Sequence, residues 1–195
     1  MISFAIAGHL ARTDGSFSLN DLPGSGGRMD LLCRCVQASL FLSHGIREEA
    51  SCLLIMSGGP GSAKIVRFDG ATVRSLSPDE RSSASLIKKA LSLPAGTLFR
   101  ESTPGVSVRK GGISELLETG TRWGILDEGG SDIRKVQTCD LPDAFILSDH
   151  RNFTPEEEEQ MQDLPRFSLG PRILHADHAI VLLWNEIDRR RAGWN

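Results

Sequence analysis

Tyrosine is absent from this sequence, and phenylalanine and tryptophan bring the aromatic fraction to only 6 %. Modules that bind single-stranded RNA on a sheet surface carry aromatic-rich motifs on which bases stack. No such motif occurs here, so the sequence excludes that class of module.

Long apolar runs are missing as well, because no stretch approaches the roughly 20 residues of a membrane-spanning helix. The first residues, Met1 to Ile6, lack a basic leader and a cleavage site and have the composition of a strand. We therefore expect a cytoplasmic protein with no membrane partner.

Cysteine is scarce, with four residues at positions 33, 35, 52 and 139. Their spacing suits neither a disulfide framework nor a zinc site, and residues two apart on a helix point in different directions. We expect reduced and mostly buried thiols.

Three common catalytic motifs are absent. The glycine-rich segment Gly24-Ser25-Gly26-Gly27 precedes a predicted helix and could hold a phosphate, or it could be a flexible loop. No Gly-Lys-Ser/Thr follows it, and its glycine spacing differs from the dinucleotide-binding motif, which disfavours a nucleotide hydrolase. No Gly-x-Ser-x-Gly follows a strand, so a serine hydrolase of that type is excluded.

The net charge of −3 is unevenly distributed. Residues 1–110 contain 13 Lys and Arg against 9 Asp and Glu, whereas the remainder contains 9 against 16. A surplus of positive residues of this size also arises commonly from ordinary variation among surface residues. If the protein binds RNA, the backbone of that RNA should lie mainly on the amino-terminal half.

Apolar patterning predicts alternating strands and helices, which is typical of an α/β domain with a mostly parallel sheet flanked by helices. We predict strands at 3–8, 51–56, 64–68, 72–76, 106–108, 123–127, 132–136 and 143–147, and helices at 28–44, 77–92 and 112–118. The 64–68 and 72–76 strands should form a hairpin across Asp69-Gly70, and the 123–127 and 132–136 strands another across residues 128–130.

The stretch from Phe145 to Arg191 organises the rest of the chain. The apolar strand ends at Ser148, and Thr154 with Pro155 then marks a helix start. A short strand and a tight turn at Ser168-Leu169-Gly170-Pro171 follow. The last helix has apolar residues at Ile173, Ala176, Ile180, Leu183, Trp184 and Ile187.

The turn at Gly170 has two interpretations. It is either an ordinary strand-to-helix connection or a place where a ligand approaches the backbone closely. The pair Arg28 and Asp30 also has two interpretations. The two side chains are either catalytic groups or a salt bridge at the start of a helix.

Several separated segments together resemble the archaeal tRNA pseudouridine N1-methyltransferases, the TrmY enzymes of the SPOUT superfamily. They are Asp-Leu-Pro-Gly-Ser-Gly-Gly-Arg (21–28), Phe-Leu-Ser-His-Gly-Ile-Arg (41–47), Ser-Pro-Asp-Glu-Arg (77–81), Leu-Ser-Asp-His (147–150), Ser-Leu-Gly-Pro (168–171), Leu-His-Ala-Asp-His (174–178) and Asn-Glu-Ile-Asp-Arg (185–189). The resemblance implies one SPOUT domain over residues 1–195, with a deep trefoil knot and the cofactor site at about 143–191. Knots are rare exceptions to chain topology, and periodicity alone does not predict one.

The resemblance also implies an activity, N1-methylation of the TΨC-loop pseudouridine of tRNA from S-adenosyl-L-methionine. The adenine would be held largely by backbone groups at Leu147, Gly170 and Ala179, flanked by Leu169 and Leu174. A similar Arg-x-Asp opens the matching helix in ribosomal-RNA pseudouridine N1-methyltransferases, which favours Asp30 as the base and Arg28 as a charge-stabilising group.

Two positions depart from the family, which commonly has cysteine where Ala179 stands and histidine where Trp184 stands. A backbone contact at 179 tolerates alanine, and position 184 is a candidate for facing a dimer partner. The continuous apolar run from Ala179 to Trp184 predicts a helix covered on both faces, hence a homodimer.

Other interpretations stay open. A SPOUT methyltransferase acting on ribosomal or another RNA shares the fold, but the segment at 21–28 is typical of the tRNA family. A catalytically silent RNA-binding scaffold would lack affinity for the cofactor. His175 and His178 with Asp177 resemble metal ligands, but a third ligand is not apparent, and we expect no metal because a sulfonium needs none.

Overall fold

The computed structural model describes residues 1–194, in which ten strands and five helices alternate. The strands are β1 (Ile2–Gly8), β2 (Phe41–Leu42), β3 (Gly45–Ile46), β4 (Ala50–Met56), β5 (Lys64–Asp69), β6 (Arg100–Thr103), β7 (Val106–Lys110), β8 (Trp123–Asp132), β9 (Ala144–Ser148) and β10 (Arg166–Ser168). The helices are α1 (Met29–Leu40), α2 (Glu80–Leu91), α3 (Ile113–Leu117), α4 (Pro155–Gln160) and α5 (Ala176–Arg191).

Eight strands form one sheet in the order β10-β8-β9-β1-β4-β5-β7-β6. The first five are parallel to their neighbours, and β5, β7 and β6 extend the sheet in antiparallel pairs. The sequence prediction of a mostly parallel α/β sheet is confirmed for this part of the architecture. Parallel strands buried on both faces require the continuous apolar runs seen in β1 and β9.

Helices cover both faces of the parallel part. On one face α1 packs between α2 and α5 over a core that includes Phe4, Phe145 and Trp184. On the other face α3 and the end of α4 cover a smaller core around Ile146 and Trp123. Because α1 touches the sheet and two helices, nearly all of its side chains are buried, including Asp30.

Two helix starts follow the sequence prediction. Asp79 accepts a hydrogen bond from the Ser82 backbone N–H at 2.7 Å and caps α2. Thr154 caps α4, with Pro155 at its first position and Glu157 closing a capping box. The first N–H groups of a helix have no carbonyl acceptor within the helix. A polar side chain that accepts from one of them makes such a helix start predictable.

The predicted continuation of α1 to residue 44 is wrong. The helix ends at Leu40, Phe41 is extended, and residues 41–42 form a two-strand hairpin with 45–46. The hairpin is closed by the Arg47 backbone N–H, which donates to the Leu40 carbonyl at 2.7 Å. β-branched and aromatic residues near a glycine favoured the extended form over a last helical turn.

The predicted hairpin across Asp69-Gly70 is also wrong. β5 pairs with β4 and β7, and residues 72–76 contribute no strand. A Cβ atom at position 70 would lie 2.0 Å from the Arg47 carbonyl oxygen, so the glycine permits close chain contact. The chain does turn here, because the Asp69 carbonyl accepts from the Thr72 and Val73 N–H groups, but no strand follows the turn.

The second predicted hairpin, across residues 128–130, is replaced by one continuous strand, β8. Gly130 lies against β10, where a Cβ atom would meet the backbone of Arg166 at 2.6 Å. β10 pairs in parallel with β8, and residues 133–135 form a short 3₁₀ helix instead of a strand.

Ile173 does not belong to the last helix, contrary to the prediction. It is 80 % exposed in the connection after Gly170, and α5 begins at Ala176. The prediction of mostly buried thiols is confirmed, since Cys33, Cys35 and Cys52 are buried and only Cys139 is exposed. Within residues 1–194, no helix has the length and apolar character needed to cross a membrane.

Candidate cofactor and catalytic site

A cavity of about 270 Å³ opens beside the middle of β8, where β9 and β10 end and α5 begins. β9 and β1 run in parallel, with Leu147 opposite Ile6 and Ser148 opposite Ala7. Their carboxyl ends therefore meet at one edge of the sheet. In open α/β sheets this edge is where ligands bind.

All five residues that the sequence assigns to the cofactor line this one cavity. Leu147 comes from the end of β9, Leu169 and Gly170 from the turn after β10, Leu174 from the connection and Ala179 from α5. The chain is folded so that residues up to 32 positions apart share one wall, which is a geometric finding independent of what binds there.

Gly170 is held in an unusual turn. The Ser168 hydroxyl accepts from the Gly170 N–H at 3.2 Å and lies 2.9 Å from its carbonyl oxygen, to which it donates. A Cβ atom at position 170 would meet no atom within 4 Å. A side chain there would thus enter open space beside the cavity.

The cavity lining combines apolar and charged residues. The apolar residues include Phe167 and Ala176 with the leucines already named. The charged residues are Asp127, Glu128, Asp149, Glu158, Arg151 and Arg172. Arg166 binds Asp127 at 2.6 Å and also binds Glu158, which fixes and partly neutralises two of these carboxylates. Such a lining suits a ligand with an apolar part and a part that carries charges of both signs.

His9 connects the cavity wall to the end of β1. Its backbone N–H and Nδ1 lie 3.0 and 2.9 Å from the two carboxylate oxygens of Asp149, and its Nε2 lies 2.8 Å from Glu157. The hydrogen bond to Asp149, followed by that to Glu157, raises the pKa of His9 to about 9. Burial acts most strongly on Asp149 and favours a higher pKa, but the hydrogen bonds from His9 and the Arg151 N–H, with the nearby positive charge, together lower the pKa.

Arg28 and Asp30 form a second charged group at the start of α1. Asp30 accepts from Arg28 Nε at 3.0 Å and from its Nη2 at 3.1 Å, and Arg34 Nη1 donates to it at 3.1 Å. Burial acts to raise the pKa of Asp30, but these hydrogen bonds dominate and hold it below its usual value. Asp30 is therefore ionised at neutral pH.

The backbone before α1 explains this placement. Arg28 has φ 67° and Gly27 φ 65°, both left-handed. A Cβ atom at position 27 would lie 1.8 Å from the Leu10 carbonyl oxygen, so only glycine allows the loop to pass the segment after β1. This contact sets α1 beside the edge of the sheet that carries the cavity.

The structure does not place Arg28 or Asp30 in the cavity wall itself. Arg34 joins the two regions, because its Nε lies 3.3 Å from Asp177 Oδ2 on the first turn of α5. The Asp149 carboxylate also contributes, after that of Asp30, to the raised pKa of Arg28. The five cavity residues and the Arg28–Asp30 pair are thus neighbouring groups on one edge of the sheet.

Sequence reasoning missed His9, Arg34 and the role of Asp177. His9 follows an apolar strand just as Asp149 does, and carboxyl ends of neighbouring parallel strands converge. That pattern could have paired them. Arg34 stands four residues after Asp30 on the predicted helix, a spacing that could have paired them, but its link to Asp177 spans 143 positions and gave no signal.

The histidines near the start of α5 do not form a ligand set. Asp177 points to Arg34, and the His175 and His178 rings contact each other edge to face at 5.6 Å. In the described part of the chain, no three His, Cys, Asp or Glu side chains are grouped so as to hold a metal ion.

The proposed exposure of Trp184 to a dimer partner is wrong. Its side chain is 3 % exposed, its indole N–H donates to the Ser39 carbonyl at 3.0 Å, and the Arg47 guanidinium lies over its ring at 4.0 Å. The residue closes the core between α5 and α1. Ala179 is buried at the cavity wall.

Comparison with known proteins gives concordant results. A family model described as putative SAM-dependent RNA methyltransferase matches residues 1–192. A tRNA (pseudouridine(54)-N(1))-methyltransferase of Methanospirillum hungatei is 60 % identical, with both chains covered completely. The enzyme of the same name from Methanocorpusculum labreanum is 51 % identical, covering 97 % of this chain and 98 % of its own.

A solved structure shares the fold. Archaeoglobus fulgidus Nep1, crystallised with S-adenosylhomocysteine, superimposes with a TM-score of 0.69 over 98 % of this chain and 99 % of its own, at 14 % identity. The mostly parallel α/β architecture implied by the sequence is shared with this structure. On the full-length family match and these relatives, the chain belongs to the family of SAM-dependent RNA methyltransferases.

Proposed function

We propose that the protein transfers a methyl group from S-adenosyl-L-methionine to N1 of pseudouridine 54 in tRNA. The observation that carries the proposal is the 60 % identity, without gaps in coverage, to an enzyme named for that reaction. The cavity supports it, because its apolar lining suits an adenine ring, and its carboxylates together with Arg151 and Arg172 suit the ammonium and carboxylate groups of the methionine part.

Leu147, Leu169, Gly170, Leu174 and Ala179 are our assignment for the cofactor site. Leucine side chains would cover the adenine faces, while backbone groups at the turn and at the strand end would bind its edge. Gly170 leaves room for close approach. The bound cofactor supplies an activated methyl group, so the chain's own task is to place N1 in line with it.

Asp30 and Arg28 are our assignment for the proton transfer. N1 of pseudouridine carries a proton that must leave as the N–CH₃ bond forms, and the ionised Asp30 would accept it. The low pKa of Asp30 makes it a weak base, so we place the proton transfer with or after bond formation, when N1–H is most acidic. Arg28 would stabilise charge on the neighbouring carbonyl oxygens. The target base has to be turned out of its stack to reach the site.

The protein is also proposed to be a homodimer through α5. Val181 is 54 % and Leu182 45 % exposed, although Ile180 and Leu183 beside them are fully buried. The helix thus carries one apolar face against α1 and a second one outward. A two-fold copy of the same face would cover it.

We further propose that residues 1–195 form a single SPOUT domain whose carboxyl-terminal segment, about 143–191, is knotted. In support, β10 pairs beside β8, which precedes β9 in the chain, and α5 then returns to the opposite face. Pulling the chain from both ends is a direct test, because a knot shortens the extended length and an unknotted chain reaches its full contour. Since the substrate is tRNA, we place the enzyme in the cytoplasm.

Incubation of pseudouridine-containing tRNA with the protein and S-adenosyl-L-methionine tests the activity. Nucleoside mass analysis should find one added methyl group on pseudouridine 54. A methyl group on another nucleoside, or on ribosomal RNA only, would show that the protein is instead a related methyltransferase with a different RNA substrate. Measured cofactor binding without methyl transfer to any RNA would contradict the proposal.

A further inference from the structure

One wall of the cavity is formed by the loop that follows β9. We name residues 149–153 the β9 loop, and Leu147, which is proposed for the cofactor, lies shortly before it. The members of this loop that line the cavity are Asp149, Arg151, Asn152 and Phe153. The conformation of the β9 loop therefore determines the shape of that wall.

Asp149 shapes the β9 loop from within. Its backbone N–H donates to the Ala7 carbonyl at 3.0 Å, and its Oδ1 accepts from the Arg151 N–H at 2.9 Å. The Ser148 hydroxyl also donates to the Arg151 carbonyl. The Asp149 carboxylate, whose side chain is only 2 % exposed, thus closes a tight turn at the cavity.

His9 is the side chain that ties this turn to the rest of the chain. Its Nδ1 lies 2.9 Å from Asp149 Oδ1, the same oxygen that accepts from Arg151, and its backbone N–H donates to Oδ2 at 3.0 Å. Within residues 1–194, the polar contacts of positions 150–153 are only with Ser148 and Asp149. The far end of the loop is held by apolar contact, since Phe153 packs against the smaller core.

Glu157 holds the His9 ring from its other side. Its Oε2 lies 2.8 Å from His9 Nε2 and also accepts from the Thr154 N–H at 2.8 Å in the capping box. Because both ring nitrogens face carboxylates, both have to donate, and the ring carries its second proton at neutral pH. The hydrogen bonds to Asp149 and Glu157 accordingly raise the pKa of His9 to about 9.

The charged groups around this cluster come from several segments. Asp149 and Glu157 face His9 directly, His150 lies 3.4 Å from Asp149 Oδ2, and the charge of Asp149 also reaches Arg28 before α1. The two carboxylates repel each other, since the charge of Asp149 acts to raise the pKa of Glu157. A neutral imidazole donates through only one nitrogen. Loss of the His9 proton therefore releases one of the two carboxylates.

We propose that His9 is a positioning residue for the methyl donor, because it holds Asp149 and thereby the cavity wall formed by the β9 loop. This inference rests on the proposed methyltransferase function. His9 is not among the residues that line the cavity, and the Asp149 carboxylate is too buried to be a free ligand, so both act through the loop. A wall that is already in place raises ligand affinity, because the loop does not have to be ordered when the ligand binds.

Two substitutions at position 9 separate its hydrogen bonds. The amide nitrogen of His9→Asn stands near the position of Nδ1 and can donate to Asp149, whereas that of His9→Gln stands near Nε2 and can donate to Glu157. The readout is calorimetric titration of S-adenosylhomocysteine at pH 7. His9→Gln should bind it about tenfold more weakly than the unaltered protein, because the Asp149 carboxylate loses its side-chain donor. His9→Asn should stay within about threefold, since its amide still donates to Asp149.

The pH dependence of the same affinity is a second readout, which a purely structural role of His9 would not change. For the unaltered protein, the affinity should weaken as the pH rises through about 9, where the ring loses its proton. Neither variant has a titrating group at position 9, so the ratio of the unaltered protein to His9→Asn cancels the titration of the ligand's own amino group. Glu157→Gln, which removes one of the charges that retain the proton, should move the fall to lower pH.

His44→Gln is the control, because His44 is exposed in the turn between β2 and β3, and it should change neither the affinity nor its pH dependence. Thermal melting at pH 7 should show that each variant is folded. If His9→Gln does not fold, the shift of the pH profile by Glu157→Gln decides in its place.

Equal affinities of His9→Gln and His9→Asn would overturn the proposal, and so would pH profiles of the unaltered protein and His9→Asn that run parallel. An unaltered protein that binds neither S-adenosylhomocysteine nor S-adenosyl-L-methionine would refute the proposed function together with this inference. Normal binding by the unaltered protein and by both His9 variants would refute this inference alone.

Discussion

Hydrogen bonding divides the charged residues at the cavity edge into two sets. His9 holds Asp149 and Glu157 next to the cavity wall, whereas two arginines hold Asp30 at the start of α1. In both sets the carboxylate pKa values are lowered, so the negative charges persist at neutral pH. The sets differ in their partner, since only His9 can lose its proton in an accessible pH range.

At position 170, we expect a side chain to exclude the cofactor without unfolding the protein. Gly170→Val places methyl groups in open space beside the cavity. A side chain that overlaps with the bound cofactor should cost roughly 1–3 kcal/mol of binding free energy. Cofactor affinity measured by calorimetry should therefore fall about tenfold to a hundredfold. Gly61→Val is the control, because Gly61 also has a positive φ and no neighbour within 4 Å but lies outside the cavity. Equal affinity in the two variants would remove Gly170 from the site.

For Asp30, replacement by asparagine separates catalysis from structure. Asp30→Asn keeps the size of the side chain but cannot accept the N1 proton, so single-turnover methyl transfer should slow by about a hundredfold or more. Higher pH should partly restore the rate by ionising N1 directly. Asp14→Asn, which weakens the Arg12 pair in a neighbouring loop, should leave the rate unchanged.

If Asp30 only stabilises the start of α1, the variant should instead lose about 1 kcal/mol of unfolding free energy with its rate intact. A rate within a few-fold of the unaltered enzyme would exclude Asp30 as the base. Positioning by the remaining residues would then be the whole mechanism.

His9 should make the stability of the protein pH-dependent in the neutral to alkaline range. Its pKa is raised from 6.5 to about 9, so its stabilising effect is complete below pH 6.5 and is lost as the pH rises through 9. The loss in unfolding free energy should be on the order of 2 kcal/mol.

Denaturant unfolding at pH 6.5 and pH 9 measures this loss, with His9→Gln as the reference. The buried thiols of Cys33, Cys35 and Cys52 also have raised pKa values and weaken both proteins at high pH. The difference between the two proteins therefore isolates His9. Parallel pH profiles would show that the His9 hydrogen bonds contribute no net stability.

Among the secondary-structure elements, α5 takes part in the largest number of functional contacts. Its first turn lines the cavity and binds Arg34, its middle packs Leu183 and Trp184 against the core, and its outer side exposes Val181 and Leu182. One helix thus connects the proposed cofactor site to the proposed subunit contact.

Adding charge to the outer face of α5 should separate the subunits. Val181→Lys with Leu182→Lys should convert the dimer to a folded monomer in light scattering, because both side chains are already solvent-exposed within one chain. Leu98→Lys alters an exposed leucine in the connection between α2 and β6 and should leave the dimer intact. A monomer already present for the unaltered protein at micromolar concentration would refute the dimer.

Local chemistry made some elements predictable and others not. The starts of α2 and α4 followed from Asp79 and Thr154, whose side chains replace missing backbone partners. The hairpins predicted at Gly70 and Gly130 failed because those glycines permit contacts with Arg47 and Arg166, distant in sequence. A glycine in the sequence indicates that a side chain would not fit, but the neighbouring sequence does not indicate which distant segment lies against it.

At the scale of the whole molecule, contacts between distant segments likewise limit how much of the site can be predicted from the sequence. The five cavity residues could be assigned because a resemblance supplied their shared role, and the structure brings them together. The links from His9 to Asp149 and from Arg34 to Asp177 join positions 140 and 143 residues apart. Periodicity carries no information on such pairs, because they arise from the order of strands in the sheet.

The central claim is that the protein methylates N1 of pseudouridine 54 in tRNA, and a matched pair of RNAs tests it most directly. Two tRNA transcripts should be identical except for pseudouridine or uridine at position 54. N1 of uridine is bonded to the ribose, so only the pseudouridine RNA offers the nucleophile. The account predicts transfer of one labelled methyl group to that RNA and none to its uridine twin. Equal methylation of both, or of neither while the cofactor binds, would contradict it.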